Sequence, residues 1–227
     1  MNENIHNAIN ATLSRLNPAN QTPEQIEANK RRVALDKAHQ LNERTRELRN
    51  TWNAPKRHCI AKELEWGGDW GEVAKALAMK LEGEGGLLVA LVGRRGAGKT
   101  QIAMELMRLN TLRQKSALYV STTEWFMAVK STYRKGADQT EIDIIKQYRK
   151  PNLLVLDEYG RRSDTEWENN LLFELLDKRY SDMNSTIIIS NQKHQELMES
   201  LGSSLASRLA ETGGVVECEW QSWRTIK

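Results

Sequence analysis

Short runs of apolar residues alternate with helical patterns over the C-terminal two thirds of the chain. Apolar side chains occupy most positions in these runs, which is typical of parallel strands that are buried on both faces. Helical periodicity separates each run from the next, so the pattern predicts an α/β fold with a five-stranded, doubly wound parallel sheet flanked by helices. The predicted strands cover residues 87–92, 116–121, 152–156, 186–190 and 215–219.

The N-terminal third has a different pattern, that of one long polar helix. Thr22 is a suitable N-cap, Pro23 fits the first helical position, and Gln25 can reach back to the cap. No further Gly or Pro occurs before Pro55, which allows a helix of about 30 residues. One narrow stripe runs along it at steps of four and three residues: Ala34, Ala38, Leu41, Thr45, Leu48 and Trp52.

A stripe this thin buries too little surface to form a core of its own. It therefore packs on the rest of the chain or on a second copy as a coiled coil, or it docks in a groove of a partner protein. The pattern leaves these alternatives open.

The charge distribution separates the same two regions. The net charge of +3 arises entirely in residues 1–66, which carry 11 basic and 8 acidic side chains, whereas residues 67–227 carry 22 of each. Together with the break near Trp66 and Gly67, this predicts an N-terminal helical arm over residues 1–66 and an α/β domain over residues 67–227. The neutrality of the second region argues against tight binding to duplex DNA.

The composition excludes several other classes of protein. No stretch approaches the roughly 20 apolar residues that a membrane span needs, and the first ten residues lack the basic start and apolar run of a signal peptide. We therefore expect a cytoplasmic protein with no membrane contact. Cys59 and Cys218 provide no disulfide framework or zinc-ligand spacing, even with His58 beside Cys59, so no structural metal is expected.

The clearest chemical signal is an octapeptide between the first predicted strand and a helical pattern. Its sequence, GRRGAGKT, matches the phosphate-binding pattern G-x-x-x-x-G-K-[ST]. Glycines let successive backbone N–H groups face a phosphate, the lysine reaches the β- and γ-phosphates, and the hydroxyl ligates Mg²⁺. The predicted ATP-binding residues are Gly93, Arg94, Arg95, Gly96, Ala97, Gly98, Lys99 and Thr100.

Polar side chains at the ends of two further predicted strands complete the predicted site. Asp157 and Glu158 follow the strand 152–156, where the aspartate can hold Mg²⁺ and the glutamate can polarise the attacking water. Asn191 follows the strand 186–190 and can hydrogen-bond the γ-phosphate or that water; the alternative is a cap for the next helix. Together with the octapeptide, the Asp-Glu pair indicates ATP hydrolysis with Mg²⁺ rather than phosphate transfer to a small acceptor.

Five motifs carry a family resemblance over residues 69–227: GRRGAGKT, LLVLDEYG, IISN, LASRL and EWQSWR, in that order. In these motifs the chain resembles the AAA+ ATPases of the DnaC type, the bacterial and phage loaders of the replicative helicase, and the related IstB-type transposition helpers. The resemblance implies an AAA+ sheet of the ASCE class. Only three residues follow Arg224, so no C-terminal lid domain is expected.

The resemblance also implies roles for single residues. Asn191 falls on the sensor-1 position, and Arg224 falls on a late arginine described as sensor-2-like. Arg208 falls on the arginine finger, a catalytic cation that these proteins present to the nucleotide of a neighbouring subunit. The alternative for Arg208 is an ion pair with an acid such as Glu211. Ser204 stands where some relatives have a second arginine, and there the chain departs from the two-arginine pattern.

Aromatic and cationic residues near the same edge of the sheet predict binding of single-stranded DNA. Cations track the phosphates of such a strand, and aromatic rings stack on its bases. Arg161 and Arg162 extend this basic surface, whereas Trp125 and Phe126 are expected to face the core. A solvated basic helix is the alternative. The predicted DNA-binding positions, which the resemblance supports, are Lys130, Tyr133, Arg134, Thr165 and Trp167.

The resemblance implies an ATP-dependent loader that forms an open spiral on single-stranded DNA. The N-terminal arm then grips a hexameric, DnaB-type replicative helicase, with ATP and Mg²⁺ bound at the subunit boundaries. A transposition helper ATPase that binds duplex DNA and a transposase is the first alternative. The second is a nucleotide-gated adaptor with negligible hydrolysis.

Overall fold

A computed structural model describes residues 23–59, 68–83 and 86–220 of the 227-residue chain. The chain divides into two units, Met1–Arg46 and Glu47–Lys227. The second unit contains the whole of the described sheet and the helices that flank it.

Five parallel strands form a single sheet in the order β2-β3-β4-β1-β5. All five predicted strands are confirmed, with ends that shift by one or two residues. Each connection between parallel neighbours contains a helix, as parallel pairing requires. The strands are β1 (Leu88–Val92), β2 (Ala117–Ser121), β3 (Leu153–Asp157), β4 (Ser185–Ile189) and β5 (Gly214–Glu217).

Eight helices accompany the sheet in the described part of the chain. None of them is both long and apolar enough to cross a membrane. Three of them, α5, α6 and α7, begin with a capping box, in which a Ser or Thr side chain and an acid three residues later satisfy each other's backbone N–H groups. The helices are α1 (Pro23–Asn50), α2 (Lys56–Cys59), α3 (Gly68–Glu82), α4 (Lys99–Leu112), α5 (Thr122–Ser131), α6 (Glu141–Arg149), α7 (Glu166–Ser181) and α8 (His194–Thr212).

The core has two layers, one on each face of the sheet. Alternate residues of a strand point to opposite faces, so Val89 joins the layer that includes α3 and α4, whereas Ala90 joins the layer that includes α5 to α8. Trp125 and Phe126 lie in the second layer with almost no exposed surface. Their predicted orientation toward the core is therefore confirmed.

Helix α1 confirms the predicted long polar helix, with 28 residues from Pro23 to Asn50. Thr22, its predicted N-cap, lies outside the described residues. Along the predicted stripe, Leu41 is exposed, and Leu48 is half-buried. The side chain of Ala38 lies outside the described part of the structure.

Trp52, the last residue of that stripe, packs in the core of the second unit. Its side chain is only 3% exposed, and its indole Nε1 donates to the Thr111 hydroxyl at 3.1 Å. The Trp52 carbonyl accepts a hydrogen bond from the backbone N–H of Tyr119, on the edge strand β2, at 2.6 Å. The sequence pattern predicts Trp52 as part of the N-terminal arm. In the structure its side chain belongs to the hydrophobic core of the α/β fold. The predicted boundary at Trp66 and Gly67 lies outside the described residues.

A fully buried arginine, Arg179 of α7, fixes the beginning of β3 and β4. Burial lowers its pKa to about 9, so the guanidinium is still charged at neutral pH. A charge in the interior requires polar partners, and here they are neutral oxygen atoms from the end of α6, the loop that follows it and the start of β4. The acceptors are the carbonyls of Tyr148, Arg149, Pro151 and Ser185 and the Thr186 hydroxyl.

Replacing Arg179 with methionine is expected to lower the free energy of unfolding by about 3–5 kcal/mol, because the buried acceptors around it lose a charged donor. Urea denaturation followed by circular dichroism measures the change. Lys178→Met is the matched control, since Lys178 is exposed on the same helix and its loss should change stability by less than about 0.5 kcal/mol. A change below about 1 kcal/mol for Arg179→Met would contradict the assigned role.

Candidate functional site

The predicted phosphate-binding loop, or P-loop (residues 93–100), connects β1 to α4 in the described structure. Gly93, Gly96 and Gly98 have φ angles of 131°, 87° and 80°, in a region that side chains with a Cβ rarely adopt. At Gly93 a Cβ would also approach the Cys218 carbonyl oxygen to 2.7 Å. The glycines therefore let the loop curl back over the end of β1 and present the N-terminus of α4.

Lys99 joins this loop to the end of β4. Its ammonium donates to the carbonyls of Gly93 at 2.6 Å and Arg94 at 2.9 Å, and to Asn191 Oδ1 at 3.0 Å. Burial lowers the pKa of Lys99, and the nearby Asp157 carboxylate opposes that shift. The alternative role for Asn191 as a helix cap is wrong, because the residue at the N-cap position of α8 is Lys193.

Asp157, the last residue of β3, accepts hydrogen bonds on both carboxylate oxygens. Oδ2 accepts from the Thr100 hydroxyl at 2.9 Å and from the Tyr119 phenol at 2.8 Å, and Oδ1 accepts from the Glu158 N–H at 2.6 Å. Thr100 and Asp157, which the sequence predicts separately as Mg²⁺ residues, are thus in direct contact although they lie 57 residues apart in sequence. A hydroxyl beside a carboxylate offers the hard oxygen ligands that Mg²⁺ prefers.

The structure adds Tyr119 to the site, which the sequence analysis missed. The phenol is 7% exposed, and burial raises its pKa, with a further contribution from Asp157. A signal was present in the sequence, because Tyr119 occupies an inward position of a predicted strand. Its contact with Asp157 depends on the neighbouring strand, however, and the sequence pattern does not specify strand order.

No cluster of three or more acidic, His or Cys side chains suited to a metal ion occurs within residues 23–59, 68–83 and 86–220. A Mg²⁺ ion that also binds phosphate does not require one, since it is usually held by one or two carboxylates together with phosphates and water. Thr100 and Asp157 are sufficient for a site of that kind.

Glu158, the predicted water-polarising residue, stands at a turn after β3. Its φ angle is 56°, which is uncommon for a residue other than glycine and is often found at functional sites. Its carboxylate accepts from the Arg161 guanidinium at 2.8 Å, and both side chains are more than a third exposed. Glu158 is thus one residue from Asp157 and carries a solvent-accessible ion pair.

Arg208, the predicted arginine finger, lies on α8 and contacts α7. Its guanidinium is 2.5 Å from the Asp177 carboxylate and within 6 Å of the ring centroids of Phe173 and Tyr180. The alternative from the sequence, an ion pair with an acid, is therefore present, but the acid is Asp177 rather than Glu211, whose carboxylate accepts from the Tyr180 phenol. Arg208 keeps 26% of its side chain exposed, at the surface of the chain.

The C-terminal motif EWQSWR lies against the P-loop as far as it is described. The Trp220 indole donates to the Ala97 carbonyl at 2.5 Å, and Arg94 donates to the Trp220 carbonyl at 3.2 Å. Arg95 is exposed. Arg224, the predicted sensor-2-like residue, lies outside the described residues.

Three of the predicted DNA-binding residues form one cluster on α5, the turn that follows it and α7. Lys130 Nζ lies 5.0 Å from the centroid of the Trp167 ring, and the Trp167 indole donates to the Tyr133 hydroxyl at 3.1 Å. The Tyr133 hydroxyl in turn donates to the Glu141 carboxylate. Because Tyr133 is 57% exposed, this aromatic and cationic cluster faces solvent.

The other residues predicted for the DNA-binding surface, Thr165, Arg134 and Arg162, have three different environments. Thr165 caps α7, where its hydroxyl accepts from the Glu168 N–H. Arg134 is exposed in the loop after α5. The expected contribution of Arg162 to a basic surface is wrong, because its side chain is 2% exposed and paired with Asp164. Sequence adjacency to Arg161 does not reveal that Arg162 turns inward toward the Tyr159 ring.

Comparisons with known proteins place this chain in a family. The model of a family described as IstB-like ATP binding protein matches residues 84–226. The chain is 27% identical over 133 residues to the replicative helicase loader DnaC of Buchnera aphidicola subsp. Schizaphis graminum, covering 58% of this chain and 54% of that protein. It is 25% identical over 164 residues to the DnaC of Escherichia coli K12, covering 71% and 66%.

The chain thus spans about half to two thirds of the length of the curated relatives that it matches. A crystal structure of the DnaC helicase loader superposes with a TM-score of 0.59 at 20% identity, covering 72% of this chain and 99% of that one. The predicted AAA+ fold is confirmed by this likeness and by the observed order of the parallel strands.

Replacing Lys99 with alanine is expected to weaken ATP binding by about 100-fold or more, since roughly 3 kcal/mol of charge-assisted bonding to phosphate is lost. Equilibrium titration with a fluorescent ATP analogue measures the affinity. Lys115→Ala, at an exposed position after α4, should bind like the parent chain. Normal ATP affinity in Lys99→Ala would exclude the assigned phosphate site.

Proposed function

Because the chain belongs to the family of IstB-like ATP binding proteins, we propose that it hydrolyses ATP and loads a replicative DNA helicase onto single-stranded DNA. One observation carries the ATPase part of the proposal. Lys99 pairs with Asn191 and Thr100 pairs with Asp157, so the P-loop is joined to the ends of β3 and β4. Such a site sets phosphate-binding donors beside a carboxylate pair, as hydrolysis requires.

In the proposed reaction Lys99 exchanges its bonds to the loop carbonyls for bonds to the β- and γ-phosphates of ATP. The amide of Asn191, already 3.0 Å from the ammonium, then lies beside the γ-phosphate. Glu158 accepts the proton of the attacking water as general base. For this role the Glu158 carboxylate first separates from Arg161. Because both side chains are exposed to solvent, breaking this ion pair costs little free energy.

Thr100 and Asp157 fit a Mg²⁺ ion through their adjacent hydroxyl and carboxylate oxygens. When bound, Mg²⁺ neutralises the phosphate charge that grows during hydrolysis. In this proposal Thr100 would bind the ion through its hydroxyl, and Asp157 would orient that hydroxyl. Thr100 lies in the first turn of α4 and Asp157 ends β3, and their hydrogen bond already joins them before the nucleotide binds.

Arg208 is proposed to act on the ATP of a neighbouring subunit in an open, spiral oligomer. Two observations support a role outside its own site: Arg208 lies on α8 beside α7, and a quarter of its side chain is accessible. A cation supplied from the next subunit stabilises charge on the transferred phosphoryl group and links hydrolysis to assembly.

Single-stranded DNA is proposed to bind the cluster formed by Lys130, Tyr133 and Trp167. The Trp167 ring centroid lies 5.0 Å from Lys130 Nζ and 6.3 Å from the Tyr133 ring centroid, so the cluster offers both phosphate attraction and stacking. Arg134 extends the positive charge along the following loop. Thr165 contributes indirectly in this proposal, by capping the helix that carries Trp167.

The replicative helicase is proposed to bind the N-terminal arm. The curated relatives are named replicative helicase loaders, and α1 carries exposed apolar residues such as Leu35 and Leu41 that a partner can cover. A loader of this kind acts in the cytoplasm. Because the family is described as IstB-like, the alternative is a transposition helper that binds duplex DNA and a transposase.

Capture of a hexameric replicative helicase tests this proposal directly. The full chain should retain the helicase in the presence of ATP, whereas a chain lacking residues 1–46 should lose it. The deletion stops at residue 46 because Trp52 belongs to the core. ATP binding by the shortened chain controls for its folding. Capture of a transposase but not of a helicase, with preference for duplex DNA, would favour the alternative.

Arg208→Ala is expected to bind ATP within about twofold of the parent chain but to turn it over about 1,000-fold more slowly, because the stabilising cation is missing. Steady-state phosphate release with single-stranded DNA measures turnover. Mixing Arg208→Ala with the equally inactive Glu158→Gln should restore part of the activity, since a mixed interface joins an intact Glu158 to an intact Arg208. Normal turnover by Arg208→Ala alone would show that Arg208 has no role in hydrolysis and only forms the ion pair with Asp177.

A further inference from the structure

The phenol of Tyr119 connects the edge strand of the sheet to the carboxylate at the end of β3. We propose that Tyr119 is a positioning residue, which holds Asp157 in the orientation that the Mg²⁺ site requires. The inference rests on the proposed ATPase function and deepens it. Neither the conserved pattern of the P-loop nor the Asp-Glu pair includes a residue on β2.

The register of the sheet brings the two side chains together. Tyr119 on β2 pairs with Val155 on β3, and Val155 and Asp157 point to the same face because alternate residues of a strand do so. From that position the long tyrosine side chain reaches diagonally toward the end of β3, where its Oη lies 2.8 Å from Asp157 Oδ2. A shorter side chain at position 119 could not span this distance.

The hydrogen bonds around Asp157 fix the rotation of its carboxylate. Oδ2 accepts from both Thr100 and Tyr119, and Oδ1 accepts from the Glu158 N–H. Each carboxylate oxygen has two acceptor positions, so these three donors leave one position, on Oδ1. That position is available to a water molecule or a metal ion.

Tyr119 is itself held in place by its backbone. Its N–H donates to the Trp52 carbonyl at 2.6 Å, and its carbonyl accepts from the Asn53 side chain at 3.5 Å. Trp52 is buried and anchored by its bond to Thr111. The outer edge of β2 is thus paired at this residue, so the phenol is presented from a rigid position.

Tyr119→Phe tests the inference, because it keeps the buried ring and deletes only the donor. The affinity of the full-length chain for a fluorescent ATP analogue is measured while Mg²⁺ is titrated, and again in EDTA. Loss of a residue that orients a metal-site carboxylate typically weakens the metal about tenfold or more. We expect the Mg²⁺ concentration at the midpoint to rise about tenfold, with the affinity in EDTA unchanged within about twofold.

The matched control is Tyr148→Phe, which deletes a phenol from the layer on the opposite face of the sheet and should leave the Mg²⁺ midpoint unchanged. A midpoint for Tyr119→Phe equal to that of the parent chain overturns the inference. An equal loss of affinity with and without Mg²⁺ also overturns it, because the phenol would then support the whole P-loop. Absence of nucleotide binding in the parent chain would instead contradict the proposed ATPase function.

Discussion

The position of β4 between β1 and β3 is the constraint on which the site depends. In a parallel sheet the carboxyl ends of neighbouring strands meet at one edge, and this order gathers the P-loop, Asn191 and Asp157 there. Lys99 then reaches the adjacent strand at Asn191, and Thr100 reaches across to Asp157. The bond from Lys99 to Asn191 depends on β4 lying next to β1. The long-range strand order therefore determines the chemistry, although each strand is specified by its own apolar run.

Much of this arrangement could be predicted from the sequence, because the signals are local. The five strands follow from apolar runs, the P-loop from one octapeptide, and Asp157 and Asn191 from their positions at strand ends. What the sequence does not provide is the set of contacts between elements that are distant along the chain. The bond from Tyr119 to Asp157 spans 38 residues and depends on the pairing of β2 with β3. The burial of Trp52 likewise depends on an exposed strand edge that the local pattern does not identify.

Two buried cations, Arg179 and Lys99, have similar hydrogen-bond partners but different roles. Arg179 and Lys99 are both satisfied largely by backbone carbonyls rather than by carboxylates. Arg179 bonds oxygens from two separate segments, so it cannot leave without breaking the connection between them. The partners of Lys99 lie mostly in one glycine-containing loop. The loop can therefore change its conformation when the Lys99 ammonium exchanges a carbonyl for a phosphate. The two segments around Arg179 cannot move apart in this way without losing their shared hydrogen-bond donor.

The charged residues proposed for catalysis share one further property, an intramolecular partner already in place. Lys99 bonds Asn191, Glu158 pairs with Arg161, and Arg208 pairs with Asp177. The last two pairs are partly exposed, and ion pairs of that kind contribute only about 0–1 kcal/mol. In the proposed oligomer, the phosphates of a neighbouring subunit's nucleotide carry several negative charges and would attract Arg208 more strongly than one hydrated carboxylate does. In that proposal, Asp177 orients Arg208 in the free subunit, and the arginine exchanges this partner for phosphate.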